Sequence, residues 1–94
     1  MDSPLDWNRT AVQRLILDAE DTLAALDDVL KNGHGEELTR ALRNGRRAYK
    51  ELAWRRRSFL LTPLSTAAID QLLAKIRGRM LAIREKIVYR IRRP

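Results

Sequence analysis

Six side chains in the middle of the chain have types and spacing suited to binding an acidic ligand. They recur at intervals of three or four residues, and five are cations while the sixth is aromatic: Arg40, Arg43, Arg47, Lys50, Trp54 and Arg57. On a helix these positions share one face, roughly opposite the leucines of the same segment. A tryptophan among cations, where a solvated face is expected, favours a binding surface. We refer to these six residues as the Arg/Trp face.

Two kinds of acidic ligand fit the Arg/Trp face. Arginine and tryptophan are favoured anchors in protein interfaces, which indicates an acidic protein partner or a second copy of this chain. Closely spaced cations also neutralise phosphates, and Trp54 can stack on an unpaired base, so nucleic acid is the alternative. Arg55, Arg56 and the basic tail at residues 90–94 would extend that footprint. A third interpretation is a solvated basic face whose Trp54 covers the edge of a neighbouring helix.

Charge is segregated along the chain. Residues 1–31 carry seven acids and three bases, residues 32–61 three and eight, and residues 62–94 two and eight. The net charges are −4, +5 and +6, which sum to +7. Pairs between helices are expected to neutralise part of this charge, and the remainder attracts polyanions. A membrane surface ranks below the other two ligands, because the apolar side of the last segment is expected to pack within a bundle.

Enzyme chemistry has little support in the sequence. The only histidine, His34, lies between two glycines, and the chain has no cysteine. Thiolate metal sites and disulfides are therefore excluded, and no glycine loop is followed by the lysine of a P-loop. A minor alternative is a small helical enzyme holding an anionic substrate between its helices, for which only Arg56 is suitably placed. We expect no catalytic residue, metal site or cofactor.

Breaks in the sequence divide it into three predicted helices. Ser3 as N-cap and Pro4 begin a helix over about residues 4–31, which the glycines after Asn32 end. Acidic residues begin a second helix over about residues 36–61.

The last break is Thr62-Pro63, since proline disfavours helical geometry at the residue before it and suits a first helical position. A third helix is predicted over about residues 63–90, followed by the basic tail. Within the second helix, Asn44-Gly45 could mark a break, but we favour a continuous helix in which Gly45 permits close helix approach.

Apolar residues repeat at alternating intervals of four and three in all three predicted helices. Because short connections make consecutive helices antiparallel, we predict an all-α fold, an up-down-up three-helix bundle. A helical hairpin that completes its bundle by homodimerisation is the alternative. The second stripe is the weakest, and Arg56, which lies on it, is expected to reach solvent along its aliphatic stem.

A second apolar line follows the predicted third helix. Ala74, Leu81 and Val88 are seven residues apart and lie about 100° from the main stripe on an ideal helix. They either widen the contact within the chain or form a subunit interface. We name these three residues the outer line and expect the protein to self-associate.

Targeting features are not evident in the 94 residues. The N-terminal residues lack the basic start and apolar stretch of a signal peptide, and no apolar run approaches the roughly 20 residues needed to cross a bilayer. The length fits a single domain. The sequence thus predicts a cytoplasmic, non-enzymatic helical interaction protein.

Overall fold

Three helices make up the part of the chain that the computed structural model describes, which is residues 4–58 and 61–92, with side chains for residues 9–58 and 61–89. They are α1 (Pro4–Asn32), α2 (Glu36–Ser58) and α3 (Pro63–Arg92), and no strand occurs within those ranges. The predicted all-α class is confirmed. The cap predicted at Ser3 lies outside the described residues.

Two glycines shape the connection between α1 and α2. The Gly33 amide donates to the Val29 carbonyl oxygen at 2.8 Å, and a Cβ on Gly33 would lie 2.7 Å from that oxygen. Gly35 has a φ of 53°, in the left-handed region that favours glycine. Gly33 therefore ends α1, where its backbone lies too close to Val29 for a side chain. Gly35 then provides the left-handed conformation at which the chain turns back.

Thr62 caps the start of α3. Its Oγ1 accepts a hydrogen bond from the Ser65 amide at 3.1 Å, and its carbonyl oxygen accepts the Thr66 amide at 2.9 Å. This is the N-cap arrangement with Pro63 in the first helical position. Thr62 is therefore the N-cap of α3, and Pro63 is its first residue.

Two helix ends differ from the predicted bounds. Helix α2 is described to Ser58, not residue 61, and Leu61 is non-helical and packs against the core. Residues 59–60 lie outside the described part. Two antiparallel helices need several residues to connect them, and the stretch before Pro63 supplies these. Helix α3 continues to Arg92, because neither glycine nor proline interrupts residues 79–92.

The core is built from one line of small and branched residues on each helix, repeated every seven positions. These residues are Val12, Ala19 and Leu26 on α1, Leu38, Gly45 and Leu52 on α2, and Ile69, Ile76 and Ile83 on α3. Leu72 of α3 is buried beside them, and the other neighbouring apolar positions are half-buried around this core. A period of seven keeps the same face inward along the length of a helix.

Contacts between the helices give their directions. Asp27 and Leu30 of α1 are contacted by Arg79 and Lys86 of α3, so these two helices run parallel. Helix α2 runs against α3, since Gly45 contacts Met80 while the later Arg56 contacts the earlier Asp70. Because α1 and α3 are parallel, α2 also runs against α1. The three helices therefore form the predicted up-down-up bundle.

Gly45 is a point of close approach between the helices. Helix α2 is continuous through it, and Gly45 is buried. A Cβ there would lie 3.1 Å from Met80 Cγ and 3.3 Å from Leu26 Cδ2. The glycine lets α2 pack closely on both neighbours.

Candidate binding face on the second helix

All six residues of the Arg/Trp face are exposed on α2. The helix carries them on the side opposite Leu38, Gly45 and Leu52, which are buried. From Arg40 to Arg57 the face extends about 25 Å at 1.5 Å per residue. The core packing of α2 therefore sets the direction of the whole face.

Trp54 stands on the surface of the bundle. Its side chain is 66% exposed, and it is not among the apolar residues that pack against the core. Most of the Trp54 side chain is therefore in water, and the solvated-face interpretation stays a prediction. Lys50 and Arg57 lie about one turn before and after it on the same face. The aromatic ring is thus available to a ligand between two cations.

A shallow concavity occupies the first part of the Arg/Trp face. Arg43, Arg46, Arg47 and Lys50 line it together with Thr39 and Leu42, and its volume is about 450 Å³. Sequence reasoning missed Arg46, although it follows Arg43 by three residues and precedes Lys50 by four. Four cationic side chains around one depression concentrate positive potential there.

No ion pair within the described residues neutralises the Arg/Trp face. The pairs present are Arg55 with Glu51, Arg56 with Asp70, and Arg79 with Asp27. Only the pair of Arg79 with Asp27 joins acidic α1 to a basic helix, as expected, whereas Arg56 and Asp70 join α2 to α3. No pair among the described residues joins α1 to α2. Arg55 and Arg56, predicted to extend the face, are held by carboxylates. The side chains of the basic tail lie outside the described part.

Arg56 is held at the boundary between α2 and α3. Its Nε and Nη2 donate to the two carboxylate oxygens of Asp70, the second at 3.1 Å. The Arg56 side chain is half-buried and reaches the surface, as expected. Its guanidinium is paired there with Asp70. The hydrogen bond from Arg56 lowers the pKa of Asp70, and the same bond raises the pKa of Arg56.

The outer line of α3 is exposed. Ala74 is exposed, and the side chains of Leu81 and Val88 are 52% and 37% exposed. Both alternatives for these residues stay predictions, since Leu81 is about half in water while most of Val88 is covered within the chain. They form a second surface feature, on a different helix from the Arg/Trp face.

Groups for metal or acid-base chemistry are sparse in the described residues. No cluster of three histidine, aspartate or glutamate side chains there could hold a metal ion, and no polar or charged side chain is buried. His34 is exposed, and its backbone amide donates to Glu37 Oε1 at 3.3 Å. Arg56, the residue considered for an anionic substrate, is held by Asp70. What the described surface offers is charge and an exposed ring.

A search of the described helices finds none with a stretch long and apolar enough to span a membrane. The comparisons with known proteins found no matching family model, no similar curated protein and no similar solved structure.

Proposed function

We propose that this protein acts by binding, without catalysis, and that it binds an acidic protein partner through the Arg/Trp face. The observation that carries the proposal is that these cations and Trp54 are exposed together and have no carboxylate of the described residues within ion-pair distance. Elsewhere on the bundle, Arg55, Arg56 and Arg79 do have acidic partners. The face thus presents five cations without an ion pair among the described residues, along one side of α2 and around an exposed tryptophan.

Trp54 supplies most of the affinity in this proposal. Exposed ion pairs are typically worth under about 1 kcal/mol each, so cations alone give on-rate and orientation more than strength. Tryptophan and arginine are the residues most often found to dominate binding energy in interfaces. Covering Trp54, now 66% exposed, removes a large aromatic surface from water.

The partner that fits best is an acidic helix. The cations repeat at intervals of three and four residues along a straight helix face. A partner helix with carboxylates at the same intervals presents its charges at the same axial spacing of about 5 Å. An apolar side chain among those carboxylates would meet Trp54. Recognition would then combine charge register with one aromatic contact.

A fluorescently labelled acidic peptide tests the proposal. The probe is an alanine-rich helix with glutamates every three and four residues and one central leucine, titrated at about 150 mM salt. We expect binding, measured by anisotropy, to be lost in Arg43→Glu/Arg47→Glu. The matched control is Arg9→Glu/Arg14→Glu, which makes the same charge change at exposed positions of α1. Equal loss in both variants would contradict the assignment of the face.

Nucleic acid is the second candidate, because an exposed ring between two cations also suits an unpaired base beside its phosphates. Labelled single- and double-stranded oligonucleotides, titrated under the same conditions, test it. Binding of the single strand that Trp54→Ala weakens, with no binding of the acidic peptide, would put nucleic acid first. Binding of the peptide alone supports the protein partner.

A further inference from the structure

The outer line of α3 is an apolar surface without a partner in the described chain. Leu81, Arg84, Glu85, Val88 and Tyr89 surround a concavity of about 480 Å³ on this single helix. Tyr89 is 65% exposed. From Ala74 to Val88 the line extends about 21 Å. Part of the apolar surface of four residues is therefore in water: Ala74, Leu81, Val88 and Tyr89.

Gly78 lies beside the outer line, and no neighbour among the described residues requires a glycine there. A Cβ placed on Gly78 would meet nothing within 4 Å, and the residue is exposed in the middle of α3. Glycine at such a position costs a helix stability relative to alanine. At Gly45, by contrast, the missing side chain lets another helix approach closely. Gly78 provides the same opportunity to a helix from outside the chain.

The outer line has a positive charge on one side and a negative charge on the other, so two copies of it can pair their opposite charges. With about 100° per residue, Arg84 and Glu85 lie about 50° to either side of the line through Leu81 and Val88. A two-fold axis parallel to the helices places one side of the line against the opposite side of its copy. Arg84 then faces the partner's Glu85, and this contact occurs twice.

The parallel arrangement also explains a glycine at position 78. Gly78 lies on the Glu85 side of the line and Arg77 on the Arg84 side. In the parallel pair, Arg77 therefore faces the partner's Gly78, where the missing side chain leaves room for the arginine stem. An antiparallel pair would instead bring like sides together and place arginines opposite arginines. The charges therefore select the parallel pair.

We propose that the outer line is a homodimer interface, in which α3 of one chain packs parallel to α3 of a second copy around Leu81 and Val88. Apolar side chains supply the contact, and the Arg84 to Glu85 pairs set its direction. This interface is separate from the Arg/Trp face and would persist if that face bound nothing.

Mass measurement across a dilution series tests the interface. We expect light scattering to give two chains for the wild type, one for Leu81→Lys, and two for the control Leu17→Lys, whose side chain is 59% exposed on α1. A wild-type mass of one chain at the highest concentration would overturn the proposal. So would a Leu81→Lys variant that keeps its helical circular dichroism and the mass of two chains.

Charge variants test the same interface without changing an apolar residue. Arg84→Glu places glutamate opposite glutamate, and we expect the dissociation constant to rise about tenfold or more. The double variant Arg84→Glu/Glu85→Arg restores opposite charges and the wild-type constant. Tighter association of Arg84→Glu would indicate an antiparallel pair and overturn the parallel arrangement.

Cysteine crosslinking gives a direct measure of direction, because the chain has no cysteine of its own. In a parallel pair each residue of the line faces its own copy, so Ala74→Cys and Val88→Cys each form a disulfide-linked dimer under oxidation. The control Ala24→Cys, exposed on α1, does not. Failure of both outer-line variants to crosslink would overturn the proposal. Loss of dimerisation in Arg43→Glu/Arg47→Glu would move the interface to the Arg/Trp face.

Discussion

Gly45→Val tests the packing that orients the Arg/Trp face. The Cβ alone would lie 3.1 Å from Met80 Cγ, 3.2 Å from Met80 Sδ and 3.3 Å from Leu26 Cδ2. Carbon atoms at optimal separation are about 3.5–4.0 Å apart, so even this atom requires its neighbours to shift. Valine adds two further methyl groups in the same buried place.

The expected loss of stability is the cost of overpacking the core, reduced by the better helix propensity of valine. Extra methyl groups in a packed core cost about 1–3 kcal/mol, while replacing glycine in a helix returns a few tenths of a kcal/mol for valine. A net loss near 2 kcal/mol is expected. For a chain of this size, each kcal/mol shifts the melting temperature by about 4–8 °C, so Gly45→Val should melt about 8–16 °C below the wild type.

Thermal melts followed by circular dichroism provide the assay, with Gly78→Val as the matched control. A side chain at Gly78 meets open space, so this variant should melt within about 2 °C of the wild type. Both are measured where light scattering gives the mass of one chain, since Gly78 lies beside the proposed interface. Equal melting temperatures for the two variants would refute the close approach of α2 to α1 and α3.

Three further predictions concern single contacts. Arg56 lowers the pKa of the Asp70 carboxylate, so the ion pair stabilises the fold above the ordinary pKa of 3.8, and this contribution is lost as the pH falls through the lowered value. The wild type should therefore melt at a higher temperature than Asp70→Asn at neutral pH, and the two melting temperatures should converge in acid. Arg56→Leu should leave the melting temperature at neutral pH unchanged or raised, and a marked loss would count against an exposed pair. Trp54→Ala should change stability by under about 0.5 kcal/mol while weakening partner binding, and an unfolded product would place Trp54 in the core. Thr62→Ala removes the cap of α3 and should cost about 1 kcal/mol, or about 4–8 °C in melting temperature, whereas Thr10→Ala, at an exposed position within α1, should not.

The sequence was sufficient to predict the helices and their inward faces, because both depend on local physics. Threonine before proline begins α3, and glycines separate α1 from α2. Intervals of three and four residues identify the buried side of each helix, and the same period identifies the exposed side of α2. That is why the six positions of the Arg/Trp face could be placed on one surface.

Contacts between helices could not be predicted, since they depend on how far one helix slides along another. Asp70 as the partner of Arg56 requires the register of α3 against α2. The exposure of a side chain also depends on contacts between helices and could not be predicted either. Periodicity places Trp54 and Leu81 away from their own helix's core line, but only the packed bundle shows that they stay exposed among the described residues.

The most direct test of the account follows the backbone amides of the isotope-labelled protein by NMR while the acidic helical peptide is added. Binding through the Arg/Trp face predicts chemical-shift changes concentrated between Arg40 and Arg57, strongest around Trp54, and their loss in Arg43→Glu/Arg47→Glu. Shift changes centred on α1 or α3, or none at a peptide concentration that saturates the anisotropy signal, would contradict it.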